Sequence, residues 1–255
     1  MTAAGSTHIG HVRKSNEDAM IWDPEIGFAA VADGMGGHQA GDVASQLALE
    51  TVHVFLRKSA TNSDFTWPFG INPSRSLNAN RLMTAFKIAN RRVFRRSEEM
   101  SEYVMGTTLV AVLVEGHQVA YASVGDSRIY ALGGGALRPL TVDDSWRVLL
   151  AREPGITEEA LSSHPMRNVL TNVIGAKPDL ELEVHEMTWT GERLLLSSDG
   201  LHTALTPEAM AHILCTHRDA AEAADVLVRA ALDRDGKDNI TAVIVEPGGG
   251  VASVT

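Results

Sequence analysis

The chain has 255 residues, 44% of them hydrophobic, with 32 acidic against 22 basic side chains and a formal charge of -10. That length suits one large domain with a sizeable core, and that charge argues against a nucleic-acid backbone or an anionic membrane surface as the main partner. A single cysteine excludes an intramolecular disulfide, and no stretch approaches the roughly eighteen apolar residues of a membrane span, so a soluble, cytoplasmic protein is expected.

Taken in chain order, a first strand is expected near residues 8–12, flanked by His8 and His11. A short strand follows at 19–22, and Asp23-Pro24-Glu25 reads as a hairpin turn into a strand over 26–32. Over 40–56 the apolar period changes, and Val43, Leu47, Leu49, Val52, Val54, Phe55 and Leu56 predict a helix with a broad apolar stripe. Residues 58–76 carry Pro68, Gly70 and Pro73 and read as an irregular connection whose Phe65, Trp67 and Phe69 cover a core edge, with a partner site as the alternative. A second helix is expected from 77 to about 99, with Arg91, Arg92, Arg95 and Arg96 toward its end, where cations complement the macrodipole. Those arginines suit an ordinary helix C-terminal face, with a docking patch as the alternative.

Strands are predicted over 106–115, 118–124 and 128–132, and Gly133-Gly134-Gly135 with Pro139 marks a turn. From 143 to 175 the periodicity is short and broken, with a brief helix at Trp146 and another opened by Thr157 as its cap, which predicts a mobile flap. Strands resume over 180–189 and 193–197. A helix then runs from Thr206-Pro207 to about Cys215, whose thiol is expected to be buried. A helix over 220–232 and a strand over 240–245 close the pattern. Gly248-Gly249-Gly250 onward reads as a disordered tail. Many strands with two pairs of helices, and no strict alternation, predict an α+β fold with stacked sheets and helices outside them. The chain is therefore read as one domain over 1–247, with its flap at about 143–175 and a tail over 248–255.

Four apolar runs carry an aspartate at one end. Asp33 closes 26–32, Asp199 follows 193–198, Asp126 follows 119–125 and Asp238 precedes 239–245. Strands laid side by side would gather these ends. Clustered carboxylates repel one another, so they persist where cations neutralise them, and an all-oxygen set suits Mg2+ or Mn2+. Two ions about 3.5–4 Å apart can activate water and polarise a phosphoryl oxygen. Asp33 is the best bridging ligand, with the Gly34 carbonyl beside it and Asp199 and Asp238 on the outer side of one ion. Glu17 and Asp18 are adjacent and point to opposite faces in a strand, so one approaches the ions while the other orients water. Asp126 completes a further, weaker ion position or orients water. Arg13 offers a planar fork for a phosphate's oxygens. His38 is the histidine best placed to handle a proton, and Asn239 bridges backbone beside Asp238. Any one Asp-Gly pair is an ordinary turn; the joint pattern carries the reading.

These residues resemble the metal-dependent protein serine/threonine phosphatases of the protein phosphatase 2C type, in their compact bacterial form. The stretch from Thr7 to Asp18 is similar to the family's opening motif, and Val31-Ala32-Asp33-Gly34-Met35-Gly36-Gly37-His38 to its second. Met105-Gly106-Thr107-Thr108, Val124-Gly125-Asp126-Ser127-Arg128, the 164–171 stretch, Ser198-Asp199-Gly200-Leu201 and Asp238-Asn239-Ile240-Thr241 follow in order. The resemblance implies a four-layer α-β-β-α sandwich with two central, mostly antiparallel sheets, and Asp33 bridging two Mn2+ or Mg2+ ions. It also implies that the Gly34 carbonyl, Asp199 and Asp238 complete the first shell, with Asp18 among the metal-site acids and Glu17 acting through water. Asp126, with Asp199, looks like the ligand of a weaker third ion, and Arg13 like the phosphate-binding arginine. The implied reaction is attack of water on phosphoserine or phosphothreonine in proteins, targets of a Ser/Thr kinase, by a monomer with no nucleic-acid or membrane partner.

The sequence departs from the family at Met35, where animal and plant members place a histidine, at Asp144 in place of a histidine, and at Asn172-Val173 in place of Arg-Ala. The 58–76 connection also looks longer than the minimal bacterial pattern. The competing functions are a catalytically weak phosphoprotein-binding regulatory module, which loss of Asp33, Asp199 or Asp238 would favour, and a two-metal nuclease, which the net charge opposes.

Overall fold

The computed structural model describes residues 1–36, 40–62, 66–100, 105–153 and 155–248. Its elements are β1 (Thr2–His8), β2 (Asp18–Asp23), β3 (Phe28–Met35), α1 (Ala40–Thr61), α2 (Leu77–Glu99), β4 (Gly106–Thr107), β5 (Leu109–Glu115), β6 (Gln118–Val124) and β7 (Arg128–Gly133). They continue as β8 (Ala136–Pro139), α3 (Trp146–Leu150), α4 (Glu158–Ser163), β9 (Val184–Thr188), β10 (Arg193–Ser197), α5 (Asp199–Ala204), α6 (Pro207–Thr216), α7 (Ala220–Arg234) and β11 (Ile240–Glu246). One sheet has the order β1-β11-β10-β7-β8, the other β2-β3-β5-β6-β9 with β4 beside β3.

The central strands are buried on both faces, which is why they read as unbroken apolar runs. In β3, Ala29 and Val31 point between the sheets with Val110, Val112, Leu194, Leu196 and Val243. Phe28, Ala30 and Ala32 face the other way, into the layer formed by Val52, Leu82 and Phe86 of α1 and α2. Across the sandwich, Leu195 and Ile244 meet Leu201, Met210 and Leu227 of α5, α6 and α7. The four-layer α-β-β-α architecture is as expected, and the described strand pairings are antiparallel.

Several elements differ from the sequence reading. The first strand lies at Thr2–His8 rather than 8–12. Gly10, at φ +81, ends that approach, and Val12 beyond it is 68% exposed. The strand β3 runs on to Met35, so Asp33 sits within it, directly opposite Asp18 of β2. Thr108 separates β4 from β5 because the Asp33 N–H donates to its Oγ1 at 2.9 Å rather than to its carbonyl, while its own N–H keeps the ladder bond to the Asp33 carbonyl. The helix α1 extends to Thr61, and β7 and β8 form a hairpin through Gly134 and Gly135, both at positive φ. The strand β9 starts only at Val184: Leu180 and Leu182 pack on the core, but the Glu181 carbonyl accepts from the Asn172 side chain rather than from a strand. Cys215 is exposed, not buried, since α6 turns Met210, Ala211 and Leu214 inward and leaves Cys215 outside. Trp67 covers a core edge as expected, edge-on to Phe55 at 6.2 Å. Phe65, His38 and residues 249–255 of the tail lie outside the described residues.

Candidate metal centre

The two sheets end together at one edge, and the aspartates stand there. Asp18 and Asp33 are paired across β2 and β3. Asp199 opens α5 immediately after β10, Asp238 lies just before β11, and Asp126 occupies the turn between β6 and β7. Asp33, Gly34, Asp126, Asp199, Asp238, Glu17 and Arg13 line a single cleft of about 450 Å³. Met35 and the flap residues Asn168, Val169, Leu170 and Val173 complete its walls. The flap therefore borders the site, as the sequence reading anticipated.

The backbone around Asp33 is held on every side. Its N–H donates to Thr108 Oγ1 at 2.9 Å, and its carbonyl accepts from the N–H of Thr108 and from Thr107 Oγ1. Gly34 is required by crowding: a Cβ there would lie 2.0 Å from the Gly41 carbonyl oxygen of α1. Asp18 is buried, and its Oδ2 accepts from Ser198 Oγ and from Thr241 Oγ1, both at 2.7 Å. These two hydroxyls, which the sequence reading did not single out, come from the opposite sheet and fix Asp18 beneath the cleft. The sequence signal for them is their placement beside the aspartate motifs, in Ser198-Asp199 and Ile240-Thr241.

Asn239 bridges backbone, as expected. Its Nδ2 donates to the carbonyls of Ile9 and Ser15, and its Oδ1 accepts from the Glu17 N–H at 2.8 Å. The 9–17 segment is thereby tied to the start of β11, which brings Glu17 and Arg13 to the cleft. Arg13 faces Asp238 with both arms: Nε and Nη2 each lie 2.8 Å from a different carboxylate oxygen. This half-exposed pair occupies the mouth of the cleft.

Burial, and then the charges of Asp18, Asp199, Asp126 and Asp238, push Asp33 well above the usual carboxylate range. Burial raises Asp18 to about 7 despite its two hydroxyl donors. Asp126 rises to about 7 through burial and the nearby Asp199 and Asp143. Asp199 is raised by burial and by Asp238, and Glu17 mainly by burial. Asp18 Oδ1 and Asp199 Oδ1 are buried without a hydrogen-bond partner, a condition that costs about 1–3 kcal/mol or more for each such acceptor. Orphaned oxygens among mutually repelling carboxylates fit hard divalent cations, for which oxygen is the preferred donor. Among the described residues no three His, Cys, Asp or Glu side chains are drawn in around one point.

Two departures noted in the sequence touch each other. Asn172 Nδ2 donates to Asp144 Oδ2 at 3.1 Å, and the Gly125 N–H donates to the same oxygen at 3.1 Å. Asp144 N–H returns a bond to the Gly125 carbonyl, and Thr171 N–H donates to that of Asp144. Both ends of the flap are thus fastened to the turn that carries Asp126. On the other side of that turn, Arg128 grips Asp143 with two bonds of 2.8 and 2.7 Å.

A family model described as protein phosphatase 2C matches residues 4–234. The chain is 35% identical to the serine/threonine phosphatase stp of Listeria monocytogenes serotype 4b, over 96% of each chain. It is similar to the solved serine/threonine phosphatase of S. agalactiae, with a TM-score of 0.84 and 29% identity over 97% of this chain and 99% of that one. It is similar also to the catalytic domain of the serine/threonine protein phosphatase PstP in complex with two manganese ions, with a TM-score of 0.79 and 30% identity over 96% and 97% of the two chains.

Proposed function

The chain belongs to the protein phosphatase 2C family and is a metal-dependent protein serine/threonine phosphatase, and we propose that the cleft aspartates are its metal ligands. Asp33, the Gly34 carbonyl, Asp199 and Asp238 would hold two core ions, Mn2+ or Mg2+, and Asp126 with Asp199 a weaker third. Asp18 borders the same centre with its free oxygen. The observation that carries this reading is the convergence of five aspartates from both sheets at one edge, with two of their oxygens buried and unpartnered. The ions would supply charge neutralisation and Lewis acidity for attack of water on the phosphoryl group.

The chain's own groups do the remaining work. Among the described residues the cleft wall carries no cysteine or histidine, and its hydroxyl, Thr108 Oγ1, is engaged by the Asp33 N–H and by Ser127. With the carboxylates assigned to the ions, we take water as the attacking group, without a phosphoenzyme, as the family resemblance implies. Asp238 is contested between an ion and Arg13. With Asp238 held by an ion, the Arg13 fork would be free to bind and orient the substrate phosphate. Met35 has no proton to transfer, so the leaving alkoxide takes its proton from water in the cleft or from another group, for which His38 is the candidate. Glu17 orients water from the side of Gly41, against which its carboxylate lies.

The substrates are phosphoproteins, which we take to be targets of a Ser/Thr kinase in the cytoplasm, with the enzyme acting as a monomer. No helix among the described residues is long and apolar enough to cross a membrane. Dialysed protein should release phosphate from a phosphothreonine peptide only when Mn2+ or Mg2+ is restored, and should leave a plasmid intact. Metal-dependent plasmid cleavage without phosphate release would replace this reading with the nuclease; tight phosphopeptide binding without release would replace it with the binding module.

A further inference from the structure

A groove of about 710 Å³ runs between α1 and α2 on the helical face of the molecule, closed at one side by the 66–76 connection. Its floor is apolar, made by Val43 and Leu47 of α1, Ile88 of α2 and Phe69 of the connection, and Val43 is 37% exposed. Its rim carries Arg91, Arg92, Arg95 and Arg96 against a single acid, Glu99. This local excess of positive charge sits on a chain of formal charge -10.

The helix dipole does not account for Arg91 and Arg92, since its effect fades within the last turn and they lie two turns before Glu99. Arg91 with Arg95, and Arg92 with Arg96, are like charges at i,i+4, an arrangement that weakens a helix. The folded chain neutralises little of this. Arg96 meets Glu99 at 3.1 Å, Arg92 reaches Thr51 Oγ1 at 3.2 Å, and Arg91 lies over the Phe69 ring at 4.5 Å. Among the described residues Arg95 makes no ion pair. Position adds the second argument. Gly41, half a turn before Val43, packs against Gly34 and Glu17 of the metal cleft. The groove and the cleft thus lie on either side of the first turn of α1.

The geometry points to a docking groove for an acidic segment of the phosphoprotein substrate, anchored by an apolar side chain on the floor and held at the rim by carboxylates. This rests on the phosphatase reading above and adds a determinant of which phosphoproteins are taken. Peptides would be selected from a random dodecapeptide library on the wild-type protein and on the Arg91→Glu/Arg95→Glu and Arg95→Glu variants. The wild type should enrich Asp and Glu together with Leu or Phe, and both variants should lose that preference. A selected sequence joined to a phosphothreonine should lower KM about tenfold or more on the wild type, with kcat unchanged, and not on the variants. Hydrolysis of p-nitrophenyl phosphate with Mn2+ should be equal in all three. Selection without acidic bias, or equal selection by the variants, overturns the groove. So does binding to phosphatidylserine vesicles that the same substitutions abolish, which would make the face a membrane contact. If the wild type fails even on p-nitrophenyl phosphate, the phosphatase reading falls instead.

Discussion

Five carboxylates cannot share one cleft edge without consequence. Asp18 and Asp126 are held near about 7, against about 3.9 for an unperturbed aspartate. A carboxyl whose folded pKa is raised binds its proton more tightly folded than unfolded. The metal-free protein should therefore lose stability as pH rises from about 4 through 7, because the unfolded chain releases those protons first. Bound cations should remove that penalty, so Mn2+ should raise the melting temperature more at pH 8 than at pH 5. Scanning calorimetry at both values checks this, and an equal rise would contradict it. Asp33→Asn, Asp199→Asn and Asp238→Asn should each cut turnover by more than about a hundredfold. Asp33→Asn should at the same time raise the metal-free melting temperature, since a neutral amide needs no proton taken up to sit beside the other four. Arg13→Ala should impair phosphopeptide turnover while leaving Mn2+ binding by calorimetry unchanged or tighter, because it releases Asp238. Weaker Mn2+ binding would remove Arg13 from the phosphate. The aspartates were legible because each stands at the end of an apolar run. The hydroxyls of Ser198 and Thr241 were not, since their partner Asp18 is about 180 and 223 residues away and only sheet stacking brings them together.

The elements that shape the cleft are short and irregular. Gly10 adopts φ +81, and a Cβ there would lie 2.2 Å from the Asp238 carbonyl oxygen. Gly10→Ala should destabilise the fold by more than about 1 kcal/mol, measured by urea unfolding, and should lower Mn2+ affinity by displacing Asp238. No change in either would show that the 9–17 segment does not set the metal site. The flap is fastened at its base by Asp144 and Asn172, while Asn168, Val169 and Leu170 reach the cleft wall. Trp146, 36% exposed, and Arg167 at the flap surface should therefore matter to protein substrates more than to a small aryl phosphate. Trp146→Ala and Arg167→Ala should lower phosphoprotein turnover with little effect on the aryl ester. Parallel losses with a falling melting temperature would make the segment scaffold. Long helices and buried strands were readable from their periodicity, α2 among them. The hairpin strand β8 and the six-residue α5 were not, because the first is edged by glycines that read as a turn and the second is too short to show a helical period.

At the scale of the whole molecule, two antiparallel sheets bury both faces of their central strands and end their carboxylate-bearing loops at one edge. The layered class was readable because apolar strands buried on two sides need helices outside them. Which strand meets which was not, since partners such as β1 and β11 lie at opposite ends of the chain. The account's central claim is that this edge is a divalent-metal centre whose occupation frees Arg13 for phosphate. Crystals grown with Mn2+ and phosphate test it directly through anomalous scattering from manganese. Two strong manganese peaks should appear beside Asp33, with Asp199 and Asp238 against them and Arg13 turned from Asp238 to the phosphate. A cleft without manganese, and Arg13 still paired with Asp238, would contradict it.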